Sequence, residues 1–98
     1  MSTDRKMEWR TEFHKALSNP ERLKIVELLE DGEQCQCTIY PEIGLSQSTV
    51  SAYLTQLVRS GILSVRRDGT RKLYQLSDSR IRTMIHDLRV LADEKTKR

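Results

Sequence analysis

Apolar positions recur at helical spacing over most of the chain and switch to a strand pair only once. Trp9, Phe13, Ala16 and Leu17 predict a first helix over about residues 4–17. Ser18-Asn19-Pro20 breaks the pattern and restarts it. Ser18 or Asn19 can cap, Pro20 suits a first helical position, and Glu21 complements the positive end of the helix dipole. Leu23, Ile25, Val26, Leu28 and Leu29 give a second helix its inward face, and Asp31-Gly32 ends it. A short helix is expected over roughly residues 39–43, starting near Thr38, because Pro41 is tolerated in a first turn and not in a helix interior. Gly44 closes it in a tight turn.

Ser46 is an N-cap candidate for the next helix, about residues 47–60. Val50, Leu54, Leu57 and Val58 fall on its core side. Ser48, Ser51, Ala52 and Thr55 lie opposite, flanked by Gln47 and Tyr53. Residues 62–67 then read as a strand, Asp68-Gly69 as a hairpin turn, and residues 71–76 as the returning strand. Ser77 or Asp78 caps a last helix with a stripe of Ile81, Met84, Ile85, Leu88 and Leu91, fraying from Lys95. The expected fold class is mainly α with one β-hairpin, a single winged helix-turn-helix domain.

Length agrees with one domain: 98 residues build one modest core, which a second copy would reinforce. Both terminal helices carry apolar stripes that a single small domain cannot easily cover. Pairing Trp9, Phe13, Ile81, Met84, Ile85, Leu88 and Leu91 across a two-fold axis would bury them as a homodimer interface. No apolar run approaches the roughly 20 residues that span a bilayer, and the N-terminus has no apolar signal segment, so no membrane partner and a cytoplasmic location are expected.

Charge changes the picture more than its total of +3 suggests. Residues 59–76 carry Arg59, Arg66, Arg67, Arg71 and Lys72 against Asp68 alone, which is the footprint of a polyanion contact. A slim helix face of small polar residues can enter a DNA major groove of about 12 Å and offer donors and acceptors to base edges. Ser46, Gln47, Ser48, Ser51, Ala52 and Tyr53 form that face, and Thr49, near the helix start, can meet a phosphate. Arg66, Arg67, Thr70, Arg71 and Lys72 make the hairpin a basic wing for the DNA backbone or minor groove. Double-stranded DNA is therefore the expected partner. A winged helix that binds protein or RNA is the alternative, and the hairpin has no aromatic besides Tyr74 for stacking single strands. An enzyme is not expected: His14 and His86 lie on separate terminal helices, and no nucleophile–base pair or glycine-rich phosphate loop exists.

The segments ALSNPERLKIVELL, GEQCQC and GLSQSTVSAYLTQLVRSGILSVRRDGTRKLYQLSD together resemble the ArsR/SmtB family of winged-helix repressors, over residues 13–78. The resemblance implies a homodimer that binds an inverted-repeat operator, represses transcription, and lets go when an inducer binds. Tyr53 stands where many members have histidine. A Cys-x-Cys pair ahead of the recognition helix often ligates arsenite, antimonite, cadmium, lead or zinc in this family, and Cys35 and Cys37 match that position. No third cysteine completes a three-thiolate site, which leaves His14, a small-molecule thiol or water. The family's other site, on the last helix, is not expected: Arg80 follows Asp78, Leu91 replaces a histidine, and Glu94 stands alone. No cofactor is required. A thiophilic metal(loid) at the cysteine pair is the expected switch; a thiol redox pair within or between subunits, or inert filler, is the alternative.

Overall fold

A computed structural model of the chain describes residues 4–97. Five helices and three strands follow one another as α1 (Arg5–Ala16), α2 (Pro20–Leu28), β1 (Gln34–Cys35), α3 (Gln36–Ile43), α4 (Gln47–Arg59), β2 (Leu63–Asp68), β3 (Arg71–Leu76) and α5 (Ser79–Thr96). The cap residues explain most of the boundaries. Asp4 accepts from the N–H groups of Lys6 and Met7, Asn19 from Glu21 and Arg22, Ser46 from Thr49, and Asp78 from Arg80. The Arg80 guanidinium, with the backbone N–H of Arg80, holds the Asp78 carboxyl down at about 2, from a usual 3.8.

The core lies where α2, α3, α4 and the sheet meet. Ile25, Leu29, Ile39, Leu54, Leu57 and Ile62 are its largest fully enclosed side chains. Glu30, at the end of α2, docks α5 onto this core. Its carboxylate accepts two hydrogen bonds from Arg89, at 3.0 and 3.1 Å, and lies 3.2 Å from Nδ1 of His86. Its carbonyl accepts from Arg82. The Arg89 contact lowers the Glu30 carboxyl below its ordinary value against the opposing effect of burial.

Three expectations change. The hairpin is the larger part of a three-stranded antiparallel sheet in the order β1-β3-β2, because Gln34 and Cys35 pair with Tyr74 and Leu73. A two-residue strand carries no periodicity, so nothing local announced it. The same pairing moves the start of α3 back to Gln36, with Cys35 as its cap and the Thr38 hydroxyl donating 2.8 Å to the Cys35 carbonyl. Pro41 thus sits inside the second turn rather than the first, and its missing N–H leaves the carbonyl of exposed Cys37 without a helical donor. Finally, Asp68 pairs with Arg71, so the hairpin loop is Gly69-Thr70 and not Asp68-Gly69. Gly69 has a φ of 66° while Thr70 keeps a negative φ, the pattern of a II′ turn.

The terminal helices divide their apolar residues between two surfaces. Phe13, Ile81 and Ile85, expected in an interface, are buried in the protomer's own core. Phe13 lies one turn after Trp9 and Ile85 directly after Met84, so each stripe crosses the boundary between the core and the open surface. Met7 and Trp9 on α1, and Met84, Leu88 and Leu91 on α5, stay exposed, with Trp9 at 52% and Leu88 at 60%. Trp9 covers Gly61, whose φ is 86° and where an added Cβ would stand 3.4 Å from the indole nitrogen.

Leu54 is the buried anchor of α4. Leu54→Ala should destabilise the domain by about 2–5 kcal/mol, because the surrounding helices relax only partly into the cavity. Urea unfolding of both proteins, followed by helical circular dichroism, measures it.

Candidate nucleic-acid interface and its thiol pair

Two elements present the expected contacts. α3 and α4, joined by a turn through Gly44 in the left-handed conformation, form the helix–turn–helix, and the β2–β3 hairpin follows directly. On α4 the residues split by helical phase. Gln47, Ser48 and Ala52 are exposed, and Thr55, Gln56 and Arg59 continue the same open surface toward the C-terminus. Gln56 was not among the expected contacts, and Arg59 entered only as part of the basic segment 59–76. Their signal was phase: they follow Ser48 and Ala52 at three- and four-residue steps.

The other expected α4 contacts are occupied within the fold. The Ser46 hydroxyl accepts from the Thr49 N–H at 3.2 Å and donates to the Thr49 hydroxyl at 2.9 Å, so both serve the cap. Ser51 is half-buried, its hydroxyl 2.8 Å from that of Tyr40 on α3. Tyr53 packs against the core, and the Arg22 guanidinium lies 5.2 Å from its ring centre. Arg22 also donates from Nε to the Ala16 carbonyl at 2.6 Å, which fastens the end of α1 beside α4. Ser51 is covered from α3 through Tyr40, and Tyr53 is met from α2 through Arg22.

The wing is basic but not uniformly available. Arg67 and Thr70 are exposed, and Lys72 lies half-buried along the groove between the wing and α4, with Thr55, Val58, Arg59 and Tyr74. Arg67 and Lys72 have no carboxylate within ion-pair distance among the described residues. Arg71 has one, Asp68, at 3.3 Å between exposed side chains, a contact of small energetic weight. Arg66 is held more firmly: Nε and Nη2 each donate to the Glu33 carboxylate at 2.8 Å. This fork lowers the Glu33 carboxyl and raises the Arg66 guanidinium. The expected phosphate contact of Arg66 is thereby compensated by an acid two residues before Cys35.

Cys35 and Cys37 are joined as a disulfide. Cys35 is buried, faces Leu73 across the sheet, and accepts the Cys37 N–H at 3.1 Å, while Cys37 is exposed. Among the described residues no three His, Cys, Asp or Glu side chains cluster as metal ligands. His14 is on α1, and the nearest carboxylate in sequence, Glu33, is engaged by Arg66. Only after reduction would the pair offer two thiolates to a thiophilic ion. Asp78, the cap residue of α5, is paired with Arg80 at 2.7 Å.

Arg67→Ala should weaken binding to all DNA sequences and reduce the salt slope of log K by about 1. Arg66→Ala should reduce it less in the disulfide form, because Glu33 already offsets that charge. Titration of labelled duplex by fluorescence anisotropy at several salt concentrations separates the two.

Comparison with known proteins converges on one class. The family model described as "Bacterial regulatory protein, arsR family" matches residues 19–65. An uncharacterized HTH-type transcriptional regulator from Methanocaldococcus jannaschii is 38% identical over 81 residues, covering 82% of this chain and 91% of that one. A probable mercury resistance operon repressor from Streptomyces lividans is 36% identical over 80 residues, covering 82% of this chain and 64% of that one. A solution structure from Mycobacterium bovis, the homodimeric winged helix-turn-helix DNA-binding domain of a possible ArsR-family regulator, superposes with a TM-score of 0.87. It is 32% identical and covers 99% of this chain and 93% of that one. With helix–turn–helix, basic wing and these relatives in agreement, the chain belongs to the ArsR family of DNA-binding transcriptional regulators.

Proposed function

We propose that the protein is a homodimeric repressor that binds an inverted-repeat operator and is switched by oxidation of Cys35 and Cys37. The observation that carries the switch is the pair itself: two sulfurs bonded to each other, one of them exposed, on the segment that enters the helix–turn–helix. Oxidation of the reduced pair takes two electrons and two protons. With a peroxide, one thiolate attacks the O–O bond, becomes a sulfenic acid and releases water. The second thiol then displaces hydroxyl as a second water, and the S–S bond forms. Reduction by a small thiol or dithiol reverses this through a mixed disulfide.

The dimer reading rests on the exposed apolar residues of the terminal helices. Trp9, Met84, Leu88 and Leu91 remain open to solvent in one protomer, and the Mycobacterium bovis neighbour is homodimeric. Pairing α1 and α5 across a two-fold axis would bury this surface and set two α4 helices about one DNA turn apart. The repressor reading is supported by the Streptomyces lividans relative.

A second reading keeps the same residues. That relative is described as a mercury resistance operon repressor, and two thiolates suit a soft ion of low coordination number. A thiophilic metal(loid) held by reduced Cys35 and Cys37 would then be the inducer.

The test is a gel shift with the protein's own upstream promoter. Reduced protein should bind it in preference to random DNA, and hydrogen peroxide should release it. Cys35→Ser/Cys37→Ser should bind and ignore peroxide. Release by mercuric ion or arsenite, with peroxide inert, selects the second reading. Equal binding to promoter and random DNA refutes sequence-specific control.

A further inference from the structure

The Cys35–Cys37 loop joins the wing's sheet through Cys35, opposite Leu73, and two side chains from its immediate neighbourhood reach the wing and α4. Glu33, two residues before Cys35, grips Arg66 of the wing by two 2.8 Å hydrogen bonds. Tyr40, three residues after Cys37 on α3, meets the hydroxyl of Ser51 on α4 at 2.8 Å. The Tyr40 hydroxyl also lies 3.5 Å from the side-chain carbonyl of Gln36, the residue between the cysteines. Ser51 can therefore donate to Tyr40 while Tyr40 donates onward to Gln36, a consistent direction for all three groups.

We propose that Glu33 and Tyr40 are the positioning residues through which the Cys35/Cys37 pair acts on DNA affinity: Glu33 holds the wing through Arg66, and Tyr40 holds α4 through Ser51. The proposal rests on the redox reading of the same pair. In the disulfide form the three-residue ring ties the α3 cap to its first turn, and the cap strand keeps Glu33 beside the wing. The Arg66 charge is then spent on a carboxylate instead of a phosphate. In the reduced form that ring is open, residues 33–37 gain freedom, and Arg66 is released toward the DNA. Oxidation thereby weakens binding. The two contacts have separable signatures. Glu33 acts by charge and so enters the salt dependence. Tyr40 acts by a neutral hydrogen bond and so alters the set of α4 without changing the count of compensated phosphates.

The test compares reduced and peroxide-oxidised full-length protein on one operator duplex by anisotropy, with disulfide content fixed by thiol alkylation and mass. Wild type should lose about fivefold or more in affinity on oxidation, the lower range of coupling between sites. In Glu33→Gln the oxidised form should recover most of that loss, and its salt slope should steepen by about 1. Tyr40→Phe should shrink the oxidised-to-reduced ratio with an unchanged slope. Glu33→Gln removes a charge at the surface and Tyr40→Phe a hydroxyl at a half-buried position, and matching circular dichroism and unfolding midpoints establish that they fold. If wild type responds and both variants keep its ratio, the positioning roles are overturned while the redox switch stands. If wild type does not respond, the redox reading fails and this inference with it.

Discussion

Two backbone pairs, Gln34 with Tyr74 and Cys35 with Leu73, are the constraint on which the rest of the site depends. They make the thiol segment an edge strand of the wing's sheet. Without them the segment between α2 and α3 would be a loop, and the cysteines would be chemically near the DNA-binding elements but mechanically apart from them. With them, Cys35 is a strand residue, a helix cap and a disulfide partner at once. A change at one sulfur must be absorbed by the sheet, by α3, or by both.

The electrostatics of the wing follow from the same placement. A hairpin with Arg66, Arg67, Arg71 and Lys72 would repel itself and attract any polyanion. The fold compensates two of the four, Arg66 by Glu33 and Arg71 by Asp68, and leaves Arg67 and Lys72 without a carboxylate partner among the described residues. The strong compensation comes from outside the hairpin, from residue 33, and it is the one that a rearrangement of the thiol segment can undo. An ion pair between residues far apart in sequence is more than a local charge adjustment: it couples the segment before β1 to β2 across the intervening β3.

Much of the architecture was legible from sequence because its signals are local. Side-chain chemistry alone marks helix starts: Ser46 caps α4 as expected, and Asn19 and Asp78 cap α2 and α5, each one of two neighbouring candidates. What was not legible depends on tertiary pairing. β1 exists only because β3 is beside it. α3 starts early only because β1 positions Cys35 as its cap. Ser51 and Tyr53 looked like reading residues from phase and polarity, but Tyr40 and Arg22 approach from other elements and claim them. Phe13, Ile81 and Ile85 looked like interface residues because a stripe does not say how much of it one protomer can cover. The two sulfurs were visible at once. Their connection to Arg66 was not, since nothing in the sequence relates position 33 to position 66.

The central claim is mechanical: a chemical event at Cys35 and Cys37 is transmitted through β1 and α3 to the wing and to α4. Backbone amide chemical shifts of the isotope-labelled free protein, oxidised and then reduced, test it most directly. Transmission requires that reduction shift the amides of Leu73, Tyr74 and Arg66 on the wing and of Ser51 on α4, as well as those of the thiol segment. Shifts confined to residues 33–38, with the wing and α4 unchanged, would contradict it.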